Sequence, residues 1–316
     1  MSTTNLPQLS IVIPLFNEEK VFAKLTERLD AVLLMLDFEA EIVLVDDGSR
    51  DQTRSLIREK CLSDSHYKGI LLSRNHGHQL ALSAGLKNAS GTKAIMVMDG
   101  DLQDPPELII DFYNKHLEGY DVVYAVRGKR KENILKKFAY WTYYRLQRSV
   151  SNFEIPIDSG DFGLMSRRVV DTMNDMPEQS RYLRGMRSWV GFKQIGLSYG
   201  RDARLAGKSN YSFRQLLNLA FNGIFNFSEF PVKLITHLGI YSILLSLIYI
   251  GFVIYERIVN NNVPAGFTSL IIAIVLFSGV QLISIGLIGE YVLRIYNQVR
   301  NRPLFVIDEV IEKPKS

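Results

Sequence analysis

Two long apolar runs near the C-terminal end most strongly limit what this chain can fold into. They cover residues 234–255 and 267–287, and each matches the roughly 20 residues that a helix needs to cross a bilayer. Apart from a few hydroxyl side chains, His237 is the polar interruption in the first run. An uncharged, turn-rich loop at residues 259–266 separates the runs. The sequence therefore predicts two transmembrane helices joined by a short loop.

The charges that flank these runs predict their orientation. Lys233 precedes the first run, and three arginines follow the second: Arg294, Arg300 and Arg302. Basic residues favour the cytoplasmic side of a membrane, so both ends of the pair are expected there and the Asn-rich loop outside. Residues 1–8 are polar and no cleavable signal is predicted, which also leaves the N-terminus in the cytoplasm.

The composition narrows the class of protein. A single cysteine, Cys61, excludes an intramolecular disulfide and fits a reducing compartment. A net charge of +4 is too weak to suggest a nucleic-acid partner. Much of the apolar content lies after residue 230. We therefore divide the chain into a cytoplasmic domain (1–230), a two-helix transmembrane domain (231–295) and a cytoplasmic tail (296–316).

Apolar strands alternate with helices through the N-terminal domain. Five runs have the length and setting of buried strands: residues 9–14, 42–45, 69–72, 94–97 and 122–125. This alternation predicts an α/β fold with a mostly parallel sheet covered on both faces. Polar residues recur at the carboxyl ends of the strands, where open α/β sheets bind ligands. Because neither a dinucleotide fingerprint nor a P-loop follows any strand, a bound nucleotide must be held by carboxylates, a metal and basic side chains.

Turn residues follow the first two strands. Pro14 is expected to end the first strand, and Asn17 to cap the helix after it. Gly48 permits a tight turn after the second strand. Ser49 or Asp51 is then predicted to cap the following helix.

The fourth strand runs into two carboxylates, Asp99 and Asp101, which are one residue apart. Such groups repel one another unless a cation or a proton joins them. Oxygen ligands suit Mg²⁺ or Mn²⁺, and Mg²⁺ commonly binds through one or two carboxylates plus substrate phosphates. The hypothesis is a metal clamp on a nucleotide diphosphate, and a solvated acidic turn is the alternative. His76 and His78 also suggest a metal, but no third ligand accompanies them.

Basic and aromatic residues dominate the chain after the fifth strand. Interfacial amphipathic helices are predicted at about residues 132–150 and 213–230, with aromatic rings at headgroup depth and cations toward lipid phosphates. For the first of them, a solvated basic face with aromatics in the core is an equal alternative. Residues 201–209 form a basic, small-residue loop of a kind that can wrap a phosphate.

These motifs together resemble the family 2 glycosyltransferases with the GT-A fold. The resemblance is carried by residues 11–18, 45–49, 99–107, 160–167 and 289–291. The last two stretches, with the two apolar runs, make the chain similar to polyprenyl-phosphate glycosyltransferases. Within these it most resembles the bactoprenol (undecaprenyl-phosphate) glucosyltransferases, and next the undecaprenyl-phosphate formamido-arabinose transferase.

The resemblance implies a role for individual residues. Positions matching the nucleoside pocket of the family are Pro14, Asn17, Glu18 and Asp47. Positions matching its metal and diphosphate site are Asp99, Asp101 and Gln103, with Asp101 catalytic. Positions matching basic residues at the acceptor phosphate are Arg127, Arg130, Arg201 and Arg204. Asp161 matches a catalytic aspartate near the reacting sugar.

The chain departs from the family pattern at two positions. Asn210 stands where relatives commonly have lysine, so Lys208 is the alternative phosphate ligand in this loop. His78 stands where glucosyltransferase relatives often have lysine.

The implied reaction is transfer of a sugar from a nucleotide diphosphate sugar to undecaprenyl phosphate. Glucose from UDP-glucose is the first expectation, and formamido-arabinose is the alternative. The reaction is expected to need Mg²⁺ or Mn²⁺, to invert the anomeric centre and to occur at the cytoplasmic face of a bacterial inner membrane. The bilayer, the UDP-sugar and the lipid phosphate are the implied partners, and a homo-oligomer is compatible with the sequence.

Two competing functions fit less well. A processive polysaccharide synthase carries a Gln-x-x-Arg-Trp signature, whose spacing Arg187-Ser188-Trp189 lacks, and two spans do not easily enclose a polymer. A non-catalytic membrane scaffold is argued against by the intact aspartates Asp99, Asp101 and Asp161.

Overall fold

The chain divides into two compact units. The computed structural model describes residues 6–127, 159–200, 230–259 and 266–313. The first unit contains an α/β sheet and includes the C-terminal residues 303–316, whereas the second contains two long helices.

The elements of the described residues are numbered in chain order. The strands are β1 (Leu9–Leu15), β2 (Ala40–Asp46), β3 (Tyr67–Leu72), β4 (Ala94–Val97), β5 (Val122–Arg127), β6 (Ser159–Ser166), β7 (Gln194–Tyr199) and β8 (Ile307–Glu312). The helices are α1 (Glu19–Met35), α2 (Thr53–Ser63), α3 (His78–Asn88), α4 (Leu108–Leu117), α5 (Arg167–Asp175), α6 (Leu183–Trp189), α7 (Phe230–Val259) and α8 (Phe267–Val299).

The described strands form one mixed, mostly parallel sheet in the order β7-β5-β6-β4-β1-β2-β3-β8. The pairs β1–β2, β1–β4, β2–β3 and β5–β7 are parallel, whereas β6 runs antiparallel to β4 and β5, and β8 antiparallel to β3. A helix follows each of the first four strands, as parallel connections require. The predicted α/β fold is confirmed.

Burial on both faces explains why the central strands are continuously apolar. All seven residues of β1 are buried. On α1 the buried residues Val21, Leu25, Leu29 and Val32 recur at helical spacing and pack into the same core cluster as β1. These residues form one apolar stripe along α1, as is typical of a helix that packs on a sheet.

Two details at the strand ends test the predicted turns. β1 continues past Pro14 to Leu15, because a parallel strand can include proline where the ladder does not need its N–H. Asp51 Oδ1 accepts a hydrogen bond from the backbone amide of Thr53, the first residue of α2 (3.0 Å), but Gln52 occupies the N-cap position, which was predicted for Ser49 or Asp51.

The strand β8 is a feature that the sequence patterns did not predict. It joins the sheet edge beside β3, with Ile311 buried in the core. Ion pairs from α2, Arg54 with Asp308 and Arg58 with Glu309, flank it. The final part of the predicted tail is therefore a strand of the first unit.

The two long helices α7 and α8 include the two predicted apolar runs. The stretches Gly239–Val259 and Leu276–Val299 are long and apolar enough to cross a membrane by length and composition. α8 extends beyond the predicted run, and Glu290 pairs with Arg294 one turn later in it (2.9 Å). The predicted interfacial helices, residues 132–150 and 213–230, lie outside the described residues, except that Phe230 is the first residue of α7.

Replacement of Gly48 by alanine is expected to destabilise the first unit. Gly48 has φ +70°, and a Cβ atom there would lie 2.5 Å from the backbone of both Arg74 and Asn75. The positive φ alone costs about 1–3 kcal/mol, and the clash adds to it. Gly119→Ala is the matched control, because Gly119 has φ +91° and its added Cβ would have no atom of the described residues within 4 Å. Thermal unfolding in detergent should show the larger loss for Gly48→Ala, and equal losses would contradict the close approach.

Candidate functional site

Carboxylates from separate parts of the chain meet at the carboxyl ends of the central strands. Asp47 follows β2, and Asp99 lies two residues beyond the end of β4. β6 runs antiparallel to β4 with Val97 paired to Gly163. The same register, continued by two residues, brings Asp161 of β6 beside Asp99. The insertion of β6 into the sheet therefore brings these two predicted site residues together.

Asp161 is a buried carboxylate surrounded by donors. Arg184 Nε donates to its Oδ1 (2.8 Å), Gln79 Nε2 donates to its Oδ2 (3.0 Å), and His78 Nε2 lies 3.5 Å from Oδ2. Burial raises the pKa of Asp161, but Arg184 and His78 outweigh burial and hold this pKa well below its usual range. Asp161 therefore stays ionised and is a weak proton acceptor.

His78 lies between two of the carboxylates. Its Nε2 atom is 3.6 Å from Asp99 Oδ1, in addition to its contact with Asp161. Burial lowers the pKa of His78, but the two carboxylates outweigh burial and raise the pKa above its usual value. The pKa of Asp99 is raised by burial and by neighbouring carboxylates. The imidazole therefore reduces the repulsion between Asp99 and Asp161.

The residues predicted to bind a metal have the right chemistry for a hard cation. Asp99 Oδ1 is buried and accepts no hydrogen bond from any group in the described part of the chain. Asp101 Oδ1 accepts a hydrogen bond from the backbone amide of Gln103 (3.1 Å). Within the described ranges, no three acidic, histidine or cysteine side chains are arranged to hold an ion alone. The carboxylates of Asp99 and Asp101, with the side-chain amide of Gln103, suit a Mg²⁺ ion whose remaining ligands are phosphate oxygens and water.

Asp47 organises the loop between β3 and α3. Its carboxylate accepts hydrogen bonds from the backbone amides of His76 (2.7 Å) and Gly77 (3.0 Å). Burial raises the pKa of Asp47 despite these two hydrogen bonds. This loop leads directly into His78, so Asp47 connects the predicted nucleoside pocket with the Asp99–Asp161 pair.

Asn17 has a different role from the predicted helix cap. Its Oδ1 atom accepts a hydrogen bond from the Arg50 amide (2.9 Å), and its own amide donates to Ser49 Oγ (3.0 Å). The Glu18 amide donates to Thr53 Oγ1 (2.9 Å). The residue that precedes α1 is Glu18, and its side chain makes no capping hydrogen bond to that helix. The prediction that Asn17 caps α1 was wrong, because Glu18 occupies that position and the side-chain oxygen of Asn17 accepts from the Arg50 amide instead.

The predicted acceptor residues lie mostly outside the described residues, namely Arg130, Arg201, Arg204 and Lys208. Arg127 is the last residue of β5, and its backbone pairs with Tyr199, the last residue of β7. The Tyr199 hydroxyl hydrogen-bonds to buried Asp104, three residues after Asp101. The ends of β5 and β7 therefore lie at the same edge of the sheet as the aspartates.

Arg184 and Gln79 are candidate site residues that the sequence patterns missed. Gln79 bridges two elements, because its Nε2 donates to Asp161 while its Oε1 accepts from the Leu183 amide (2.9 Å). Arg184 lies 23 positions beyond Asp161 in the sequence. A basic residue in a short helix carries no local signal of a distant carboxylate partner. Their role therefore becomes visible only when α3 and α6 are placed beside β6.

Comparison with known proteins identifies the family of this chain. Residues 10–173 match the model of the family "Glycosyl transferase family 2". The chain is 44% identical, over 96% of its length and 94% of the relative, to the uncharacterized glycosyltransferase YkcC of Bacillus subtilis. It is 38% identical to the SfII prophage-derived bactoprenol glucosyl transferase of Shigella flexneri, over 95% of this chain and 97% of that protein.

Among solved structures, one similar chain is the mannosyltransferase PcManGT of Pyrobaculum calidifontis, in complex with GDP-Man and Mn²⁺. The TM-score is 0.48 at 17% identity, and the match covers 94% of this chain and 88% of that one. The family model covers more than half of the present chain, and the relatives match nearly all of it. The chain therefore belongs to glycosyl transferase family 2 and is a glycosyltransferase.

Proposed function

We propose that this glycosyltransferase transfers a sugar, with glucose as the first candidate, from a UDP-sugar to undecaprenyl phosphate or a similar polyprenyl phosphate. The observation that carries the proposal is the 38% identity, over 95% of the chain, to a protein named bactoprenol glucosyl transferase. The geometry at this end of the strands supports it, because Asp99, a predicted metal ligand, lies there beside His78 and the Arg184–Asp161 pair.

The acceptor phosphate is the proposed nucleophile. A phosphate monoester has a second pKa of about 6, so it is mostly dianionic at neutral pH and needs no strong general base. This agrees with the low pKa of Asp161, which would be a poor base. We assign Asp161 to positioning the sugar or the acceptor. A single in-line displacement of the diphosphate then inverts the anomeric centre.

Donor and acceptor are assigned to separate residues. Asp99 and Asp101, with Gln103, would hold Mg²⁺ or Mn²⁺, and a bound ion supplies charge neutralisation for the leaving diphosphate. The proposed nucleoside ligands are Pro14, Asn17, Glu18 and Asp47. The proposed acceptor-phosphate ligands are Arg127, Arg130, Arg201, Arg204 and Lys208, since guanidinium groups bind phosphate in bidentate fashion.

The test of the proposed function is a transfer assay with a defined lipid. Purified protein is mixed with undecaprenyl phosphate, Mg²⁺ and a panel of UDP-sugars, and the lipid is analysed by mass spectrometry. We expect one hexose added to the lipid phosphate, with UDP-glucose the best donor. A preference for a formamido-arabinose donor would reassign the sugar. The absence of a glycosylated lipid with every donor would contradict the proposal.

We further propose that α7 and α8 span the membrane with both chain termini in the cytoplasm. The described side chains of both helices are largely exposed although they are mostly apolar, as in Leu245, Ile248 and Leu282. Water does not favour such a surface on every side of a helix, whereas lipid does.

Cysteine labelling should therefore distinguish the two sides of the membrane. We expect a cysteine at Asn261 to react with an impermeant reagent outside the cell, and cysteines at Ser2 and Ser316 to react only after permeabilisation. The unmodified chain is the control, because Cys61 is buried and burial raises the pKa of its thiol to about 12. Labelling of all three positions from the same side would contradict the two-span topology.

A further inference from the structure

Arg187 of α6 is a buried cation whose donors are poorly satisfied. Its residue is 3% exposed, and within the described ranges no carboxylate pairs with it. Its Nη2 atom donates one long hydrogen bond to the Gly160 carbonyl (3.5 Å), and its guanidinium carbon lies 5.4 Å from the centre of the Tyr124 ring. Its Nε atom is buried and donates no hydrogen bond to any residue that the structure describes. A buried guanidinium satisfied this poorly is costly to the folded state.

The charge on Arg187 persists at neutral pH. Burial lowers the pKa of its guanidinium to about 10, which still leaves the group protonated. The carboxylate that most favours this charge is Asp161, which already accepts hydrogen bonds from Arg184 and Gln79 and lies beside His78. Arg187 therefore adds a second positive charge near the Arg184–Asp161 ion pair, and unlike Arg184, whose side chain is 31% exposed, it is buried.

The backbone of β6 provides room for Arg187 on the Asp161 face of the strand. A Cβ atom on Gly163 would lie 3.2 Å from Arg187 Nη1 and 2.8 Å from the Val123 carbonyl oxygen. Gly163 is two positions from Asp161, so both lie on the same face of the strand. Any other residue at this position would push against the guanidinium. The cation is therefore accommodated by the sequence of β6 next to the site.

We propose that Arg187 is a positioning residue whose buried positive charge near Asp161 is balanced by a substrate phosphate when that phosphate binds. The inference rests on the proposed function, because that function brings phosphates to this edge of the sheet. Arg187 itself is buried and acts through its field on the Asp161 pocket rather than by contact. The phosphate can belong to the donor diphosphate or to the lipid acceptor, and the experiment separates the two.

The test compares Arg187→Met with a matched control, Arg181→Met. Arg181 is also partly buried, but it donates to the carbonyl oxygens of Met173 (2.6 Å) and Met176 (3.1 Å) at the end of α5. Each variant is measured for its unfolding midpoint, for UDP binding by calorimetry with Mg²⁺, and for affinity toward a short-chain polyprenyl phosphate.

For Arg187→Met we expect an unchanged or raised midpoint, because replacing a buried, poorly paired charge by an apolar side chain is often neutral or stabilising. We expect at least one phosphate ligand to bind about tenfold more weakly, which corresponds to about 1.4 kcal/mol. A loss in the UDP arm assigns the phosphate to the donor, and a loss in the lipid arm assigns it to the acceptor. Arg181→Met should lower the midpoint and leave both affinities unchanged.

The proposal is overturned if both ligands bind Arg187→Met within about twofold of the wild-type affinity, whatever the midpoint. If Arg187→Met fails to fold or loses both stability and affinity, Arg187→Lys and Arg187→Gln decide. The lysine variant must retain more affinity than the glutamine variant, and equal affinities overturn the proposal. Failure of the proposed function is seen separately, as a wild-type protein that glycosylates no lipid, whereas UDP affinity is measured without turnover.

Discussion

Asp101→Asn is expected to reduce sugar transfer by about 100-fold or more while the protein stays folded. An amide keeps the shape of the side chain but removes the charge that a divalent cation requires, and charge stabilisation by a metal is worth several kcal/mol, with about 1.4 kcal/mol per factor of ten. The loop should keep its conformation, because Asn Oδ1 can still accept the hydrogen bond from the Gln103 amide. The measurement is turnover across a Mg²⁺ titration.

Asp111→Asn is the control for this variant. Asp111 is an exposed aspartate of α4, so its replacement removes the same charge from the same part of the chain without touching the site. We expect this control to keep wild-type turnover. If Asp101→Asn also kept it at every Mg²⁺ concentration, the assignment of Asp101 to the metal would be wrong.

Asp161→Asn is expected to lower both turnover and stability. The two carboxylate oxygens of Asp161 accept hydrogen bonds from Arg184 and Gln79 and lie close to His78. An asparagine would place its own NH₂ group against one of these donors. Removing one partner of a buried ion pair costs about 3 kcal/mol or more. Misplacement of the surrounding side chains by about 1 Å can reduce turnover roughly 100-fold. Turnover and the unfolding midpoint should be measured on the same preparation.

Asp121→Asn separates the functional from the structural part of that loss. Asp121 is buried, pairs with Arg168 through two hydrogen bonds of 2.6 Å and accepts a third from Ser166 (3.0 Å). Asp121 immediately precedes β5, so it lies at the opposite end of this strand from Arg127. We expect the Asp121→Asn variant to be less stable than the wild type. At temperatures below its unfolding midpoint it should keep wild-type turnover. Equal loss of turnover in the two variants would show that Asp161 serves the fold alone.

The two predictions address different parts of one site. Asp101 follows a strand and was identified from the local sequence, whereas the role of Asp161 depends on residues brought to it from other elements. Asp161 was singled out by family resemblance, and its partners Arg184 and Gln79 were not identified at all. The low pKa of Asp161 follows from Arg184 and His78, so its suitability as a positioning group rather than a base is a property of the folded chain.

What the sequence determined by itself is the set of local elements. The first five strands follow from short apolar runs, and β4 spans the four residues predicted for it. The carboxylates after β2 and β4, and the two long C-terminal helices, follow from the same kind of local pattern. These features need only the periodicity of the chain and the physical requirement that apolar side chains leave water.

What only the tertiary structure decided is which elements lie side by side. The antiparallel insertion of β6 between β4 and β5 places Asp161 beside Asp99, and α6 then brings Arg184 and Arg187 to that strand. β8 joins β3 from the far end of the chain. Such pairings depend on packing and on backbone hydrogen bonds between distant segments, and no residue signals its distant partner through its neighbours in sequence. The charge balance around Asp161 is therefore a property of the fold.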